Sequence, residues 1–451
     1  MNIPILIVLG LVVAFAAMAE GKLPYAIAGM VGTAAIVAAI RRPIHLVGMT
    51  LLATVPAAID LTGQTFVTPY KLALILLFFA TGLLLARRRT VMTLPFDTSV
   101  LLGIVAIAML LRDIEASRGA PLMIEIAGVA MLLFATSQLV HGPKQAIQLG
   151  LTAFVGVLFS GAWCVIEKPP WTLLGGITRA LGPAGDPNSS ATMQLLLMFI
   201  ALPWLTRLPT TLRLIGRAML GAATVYCIFA TASRGATLAG VVGVAVFAML
   251  LPRRLSISLR NLFVAGCLVA LALAFAPSSF VLRIGNTVQS DEAGNTVVED
   301  SHRGEINALA LSMVETAPLF GQGSDVFLEV AAQKIGLTNV VHNAPLRVAV
   351  AYGIPIAFLY TLIFLLPMVR GIQLLRIHSE VPRDLTATLM SASVTAFAFI
   401  QTNPRLFRAL FIFVGMLLTL LHQRSVAHGR RKIEPQVAIG PHLASPMIER
   451  G

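Results

Sequence analysis

The chain has 451 residues, of which 57% are hydrophobic and only 12% are charged. Soluble domains carry roughly 25% charged residues, and here apolar runs long enough to cross a bilayer recur from one end to the other. Backbone groups in a bilayer must hydrogen-bond within their own segment, so the composition predicts an all-α, polytopic membrane helix bundle and excludes a soluble globular protein. The net charge of +13 fits basic cytoplasmic loops, and no basic helix or aromatic platform supports nucleic-acid binding.

We predict about 12–14 spans, the fifth of which is short enough to be re-entrant. Their approximate bounds are 3–19, 23–40, 44–61, 70–86, 98–111, 121–140, 146–166, 189–206, 214–232, 235–251, 261–276, 346–368, 384–400 and 406–421. The three cysteines, Cys164, Cys227 and Cys267, all fall inside apolar runs. They predict neither a disulfide framework nor a metal site.

The distribution of charge predicts the orientation. If the N-terminus is cytoplasmic, the loops on that side and the C-terminal tail carry 20 of the 33 basic residues, whereas the opposite side carries 15 of the 20 acidic residues. The positive-inside rule then predicts that both termini are cytoplasmic. The tail after Leu421 is basic, and we expect it to be loosely ordered. The long polar stretch Pro277–His342, with eight acidic residues, is then an outward, periplasmic loop.

The stretch Ala218–Leu251 contains a single charge, Arg234, near its middle. At 1.5 Å per residue it is too long for one crossing, so we predict two spans that break around Ser233-Arg234-Gly235, where glycine permits the turn. Arg234 then lies at or just below the outer membrane surface. It is either a snorkelling interfacial arginine or an arginine that binds an anion.

Another outward loop, Glu167–Asn188, offers structural roles. Asp186 or Asn188 is suited to cap the following helix, and Trp171 suits the membrane interface.

The periplasmic loop has internal order of its own. After Asp300-Ser301-His302-Arg303, apolar residues recur at helical spacing, which predicts an amphipathic helix with Arg303 partly on its packed side. Pro318–Gly323 reads as a turn. A second short helix is predicted from a Ser324 cap to Gly336.

His342 stands just before the next apolar run. Asn343 is a good N-cap and Pro345 is tolerated in a first turn, so a long helix should begin here. The positive end of a helix disfavours a protonated imidazole and favours a nearby anion. A neutral imidazole can act as a general base near pH 7. A structural histidine is the alternative.

Three motifs resemble the O-antigen ligase and Wzy-type polymerase family of bacterial envelope enzymes. The first is Ser233-Arg234-Gly235 at a helix end. The second is Asp300-Ser301-His302-Arg303 followed by Pro318-Leu319-Phe320-Gly321-Gln322-Gly323, and the third is Val341-His342-Asn343 with Leu346. The resemblance covers about residues 220–365. It divides the chain into N-terminal transmembrane helices (1–217), a catalytic region (218–368) that includes the periplasmic loop 277–342, C-terminal transmembrane helices (369–421) and a basic cytoplasmic tail (422–451).

The resemblance implies a glycosyltransferase of the bacterial inner membrane, active in lipopolysaccharide or exopolysaccharide biosynthesis. Its donor is a glycan on undecaprenyl diphosphate, its acceptor is lipid A–core or another glycan, and no metal or other cofactor is implied. Arg234 and Arg303 would hold the donor diphosphate, and His342 would be the general base. Arg347 and Arg405 are outward arginines that receive no role.

The motifs leave the acceptor open, so the enzyme is either a ligase or a Wzy-type O-antigen or exopolysaccharide polymerase. The alternative from another class is a transporter of polysaccharide or lipid-linked glycan. A transporter predicts midplane charges and inverted repeats. Glu125 is the chief midplane charge, and no repeat between the two halves is apparent.

Overall fold

The computed structural model describes residues 96–113, 119–166, 171–172, 178–184, 186–250, 288–290, 296–298, 303–323, 326–336, 341–377, 381–401 and 409–433, together with Val47, Leu77 and Thr81. Twelve α-helices account for most of these residues. In chain order they are α1 (Phe96–Asp113), α2 (Gly119–Leu139), α3 (Pro143–Ile166), α4 (Pro187–Leu205), α5 (Thr210–Thr231), α6 (Arg234–Leu250), α7 (Arg303–Thr316), α8 (Val326–Ile335), α9 (Ala344–Tyr352), α10 (Ile354–Arg376), α11 (Arg383–Ile400) and α12 (Ala409–Ile433).

Two short antiparallel hairpins complete the described part of the chain. The strands are β1 (Trp171–Thr172) with β2 (Thr178–Arg179), and β3 (Val288–Ser290) with β4 (Thr296–Val298). Both hairpins lie in loops predicted to face outward. The all-α prediction is confirmed, since helices dominate the described residues.

Four of the described helices are long and apolar enough to cross a membrane: residues Pro143–Val165 of α3, and α4, α5 and α10. Shorter apolar helices of 10–17 residues occur within α1, α2 and α12 and as α6. The chain is a multi-pass membrane protein, as its composition predicts. The predicted spans 3–19, 23–40 and 261–276 lie outside the described residues, and Val47, Leu77 and Thr81 are the described residues of the predicted spans 44–61 and 70–86.

Helices α4 and α11 form the centre of the bundle. Helix α4 carries no charged residue and packs against α3, α5, α6 and α11. In α11 the buried hydroxyls of Ser391 and Thr395 each donate, at 2.8 Å, to the backbone carbonyl one turn earlier. These bonds satisfy the hydroxyls within their own helix, so α11 can be buried without polar partners on its neighbours. Small residues let helices approach closely, and a methyl group added at Gly243 of α6 would collide with the Thr395 hydroxyl.

Ion pairs show which helix ends share one end of the bundle. Arg207, between α4 and α5, lies 3.3 Å from Asp384 in the first turn of α11. Arg370, near the end of α10, pairs with Asp97 in the first turn of α1. We call this the arginine end, and the opposite end the histidine end, after His342. The pairing agrees with the predicted alternation of helix direction, which puts these four segments on one side.

The structure corrects three details of the sequence reading. The span predicted at 346–368 is two helices, α9 and α10, which meet at Gly353. The break between α5 and α6 is where it was predicted, but the left-handed residue there is Ala232, with φ 45°, and Gly235 lies within α6. The segment after Leu421 continues α12 to Ile433, because residues 422–432 include no proline and many good helix formers.

Candidate functional site

Arg234 is the first residue of α6, at the tight corner where α5 ends, and its side chain is half-buried. The preceding Ser233 is fully buried. Its hydroxyl donates to Asn188 Oδ1 at 2.8 Å and accepts from the Ala236 N–H at 3.3 Å, so it caps α6. The corner that carries Arg234 is therefore fixed to the first turn of α4.

The β1–β2 hairpin reinforces this corner. Arg179 donates from Nη2 to Asn188 Oδ1 at 3.3 Å and from Nε to the Thr231 carbonyl at 2.9 Å, and the Ala180 N–H donates to the Ala230 carbonyl at 2.9 Å. A single amide oxygen, that of Asn188, thus accepts from both the hairpin and the α5–α6 corner. It joins three segments that are distant in sequence.

The start of α4 also reaches toward His342. Asp186 is the N-cap of α4, and its carboxylate accepts from the Ser189 N–H at 2.9 Å. The same carboxylate is close enough to interact electrostatically with His342. Of the two candidate caps, Asp186 therefore fills the role, and Asn188 has the different role of an acceptor at the corner.

His342 precedes the helix start that the sequence predicts. Asn343 caps α9 by accepting from the Leu346 N–H at 2.9 Å, and its amide donates to Gln401 Oε1, just after α11, at 3.3 Å. The cap prediction is confirmed. The His342 side chain is half-buried, and its Nδ1 atom is buried and makes no hydrogen bond to the described residues.

Arg303 is the first residue of α7, as predicted, and it is half-buried. The predicted apolar face is also present: Ile306, Ala310 and Met313 are buried against α8 and α9. This packing positions Arg303 near His342. Burial lowers the pKa of the His342 imidazole, the positive charge of Arg303 lowers it further, and Asp186 acts in the opposite direction.

A six-residue turn, Pro318–Gly323, attaches α7 to the α9–α10 junction. The Gln322 N–H donates to the Val350 carbonyl at 2.7 Å, and the Ile354 N–H donates to the Pro318 carbonyl at 2.8 Å. Gly353 has φ 91°, and a methyl group there would lie 2.1 Å from the Leu319 carbonyl oxygen. The backbone of the turn is therefore in direct contact with the backbone of the α9–α10 junction, and this contact positions α7.

The structure brings some of the predicted site residues into contact range and leaves others farther apart. Arg303 and His342 interact with each other. Arg234 is linked to them through Ser233, Asn188 and the turn that contains Asp186. Arg347 lies on α9 and lines a small cleft with Phe327 and Leu328 of α8, and Arg405 lies outside the described residues.

A family comparison covers the segments that contribute these residues. Residues 218–361 match the family model described as O-antigen ligase. The matched segment, about a third of the chain, is similar to the O-antigen ligase family. The match includes α5 from Ala218, the whole of α6 to α9, and the start of α10, and it implies an O-antigen ligase-like or polymerase-like function. Among curated proteins, no match to the chain is found.

The sequence did not predict Asp186, Asn188 and Arg179 as neighbours of the candidate site. They lie before residue 218, in a loop where helix capping explained the polar residues adequately. The sequence did offer one indication that these residues could contribute to a site, which was their position at the predicted outer end of a helix without charged residues. Only the packing of α4 against α5 and α6 brings them to the site.

Proposed function

We propose that the protein is an inner-membrane glycosyltransferase that transfers a glycan from undecaprenyl diphosphate to an acceptor hydroxyl at the histidine end. The observation that supports this most is the gathering of three separate family motifs at one end of the bundle. Arg303 lies within electrostatic range of His342, and Arg234 occupies a corner that is hydrogen-bonded to the adjacent α4 start. A cation beside a histidine, with a second arginine on the neighbouring corner, suits a diphosphate leaving group next to a base.

In this proposal Arg234 and Arg303 hold the donor diphosphate. Guanidinium groups match phosphate geometry in bidentate fashion and stay charged at every physiological pH. As the bond between the anomeric carbon and the diphosphate oxygen breaks, its electron pair moves to that oxygen. The two arginines stabilise the charge that develops there.

His342 in its neutral form takes the proton of the acceptor hydroxyl, and the hydroxyl oxygen attacks the anomeric carbon from the side opposite the diphosphate. One carbon–oxygen bond forms as the other breaks, so the anomeric configuration inverts. The lowered pKa of His342 keeps the imidazole neutral near pH 7, which is the form a general base requires. The apolar bundle accommodates the polyprenyl chain.

The test is a transfer assay with purified protein, lipid-linked glycan and candidate acceptors. We expect His342→Ala to lower the transfer rate by about 10²–10⁴-fold, the usual contribution of a general base. His141→Ala is the matched control, because His141 is an exposed histidine between α2 and α3, at the arginine end. Full activity of His342→Ala at normal expression would reject the assignment of the base.

Each donor arginine has a similar test. We expect Arg234→Gln and Arg303→Gln each to cost about 10-fold or more, since a hydrogen bond to a charged group contributes about 1.5–3 kcal/mol. Arg376 is an exposed arginine at the C-terminal end of α10, at the arginine end of the bundle. As the control, Arg376→Gln should leave the transfer rate unchanged. Equal effects of all three changes would argue against a donor site at the histidine end.

The acceptor determines which of the two family activities the protein has. Transfer to lipid A–core would identify a ligase, and extension of a second lipid-linked repeat would identify a polymerase. Accumulation of glycan in vesicles without any new glycosidic bond would instead favour a transporter.

A further inference from the structure

The tip of the Pro318–Gly323 turn exposes two large apolar side chains. Leu319 is 62% exposed and Phe320 is 78% exposed. The Pro318 carbonyl accepts from the Ile354 N–H, and the Leu319–Phe320 peptide packs directly on Gly353. These contacts hold the tip level with the first turn of α10, which is long and apolar enough to cross a membrane.

The tip lies next to the start of an exposed apolar face of that helix. On α10 the exposed large apolar residues are Ile354, Phe358, Val369 and Ile372. Their spacing of 4, 11 and 3 residues puts them on one side of a helix with 3.6 residues per turn. An exposed apolar stripe on a membrane-spanning helix is suited to face lipid, and the Leu319–Phe320 peptide packs on Gly353, next to the N-terminal end of this stripe.

The backbone at the base of the turn is hydrogen-bonded within the protein. Polar backbone groups in the hydrocarbon region need partners within the protein. Pro318 has no N–H group, and the Gly321 N–H donates to the Ala317 carbonyl at 3.0 Å. The N–H groups of Gln322 and Gly323 donate to α9 carbonyls at 2.7 Å and 3.0 Å. These bonds pair the base of the turn within the protein and leave only the two-residue tip, Leu319–Phe320, to project from it.

We propose that Leu319 and Phe320 insert into the acyl chains of the leaflet at the histidine end and anchor the loop to the bilayer. The anchor fixes the height of α7, and so of Arg303, relative to the membrane surface. The position of the tip beside the exposed apolar stripe of a membrane-spanning helix points to bilayer lipid as the partner. The proposal does not depend on the catalytic assignments.

The test measures what surrounds position 320 in proteoliposomes. A cysteine-free background is made by changing Cys164, Cys227 and Cys267 to alanine, and Phe320→Cys is labelled with an environment-sensitive fluorophore. Phe358→Cys is the matched lipid-facing control, and Lys334→Cys, exposed on α8, is the matched water-facing control. Quenching by phospholipids with a spin label on the acyl chain is compared with quenching by aqueous iodide.

We expect the label at position 320 to be quenched by the lipid probe as strongly as the label at position 358, and to be protected from iodide. Quenching by iodide to the level of position 334 would overturn the proposal. Protection from both quenchers would also overturn it, because protein would then cover the tip. If the cysteine-free protein does not fold, Phe320→Trp in the native chain answers the same question. Brominated phospholipids should then quench the fluorescence that the added tryptophan contributes.

Discussion

His342 interacts with two opposite charges, Arg303 and Asp186, and this makes its titration a residue-level test of the proposed site. A general base acts in its neutral form, so activity should fall as the pH drops through the pKa of His342. Burial and Arg303 lower that pKa, so the fall should lie below the ordinary histidine value of about 6.5. The pH profile of kcat/KM in the transfer assay measures it.

Two substitutions should shift this fall in activity at low pH, the acid limb of the pH profile, in opposite directions. Arg303→Gln removes a cation that lowers the pKa of His342, so the limb should shift to higher pH, whereas Arg303→Lys should leave it in place. Asp186→Asn removes an anion that raises the same pKa, so the limb should shift to lower pH. Shifts in the same direction would be inconsistent with His342 as the titrating base.

Asn188 is the second residue-level test, because its side-chain oxygen accepts from both Ser233 and Arg179. Asn188→Ala removes that acceptor at a buried corner, and we expect a loss of about 1–3 kcal/mol in the free energy of unfolding. We also expect weaker donor binding, seen as a higher KM, because Arg234 is displaced. Asn188→Asp keeps an acceptor oxygen and should restore most of both quantities. An equal loss in the two variants would show that hydrogen bonding at this corner is unimportant.

At the level of elements, the contact between the Pro318–Gly323 turn and the α9–α10 junction should be the most sensitive to an added methyl group. Gly353→Ala forces a collision with the Leu319 carbonyl oxygen at a positive φ. Backbone strain alone costs about 1–3 kcal/mol, so a clear drop in the thermal unfolding temperature in detergent is expected. Activity should fall as well, since the turn positions the helix that carries Arg303.

Gly221→Ala is the control for this substitution. Gly221 lies within α5, and a methyl group there meets no atom within 4 Å. Alanine favours helix over glycine by about 1 kcal/mol, so this variant should be unchanged or slightly more stable. If Gly353→Ala were equally stable, the close backbone approach would not be a determinant of the fold.

For the whole molecule, the two ends of the bundle should be labelled from opposite sides of the membrane. We expect Lys334→Cys, on α8 in the predicted periplasmic loop, to react with a membrane-impermeant maleimide in intact spheroplasts. Arg213→Cys, at a partly exposed position near the start of α5 on the predicted cytoplasmic side, should react only after permeabilisation. The reverse pattern would contradict the orientation derived from the positive-inside rule.

Local patterns in the sequence were sufficient for several features. Asn343 was recognised as a cap because capping depends on a few neighbouring residues. The face of α7 was recognised because helical periodicity is local. The α5–α6 break followed from length alone. The split at Gly353 was not foreseen, because an apolar run that contains one glycine also fits a continuous helix, and the left-handed Ala232 was not foreseen because alanine rarely adopts that conformation.

The sequence by itself determined that this is a multi-pass helical membrane protein with a segment similar to the O-antigen ligase family, since hydropathy, periodicity and motif order are properties of short segments. Only the tertiary structure decided which residues surround Arg234 and His342. Packing of α4 against α5 and α6 brings Asn188 to the Arg234 corner, and contact between two glycine-containing backbones sets the position of α7 and Arg303. Such contacts join residues far apart in the chain, and no local pattern encodes them.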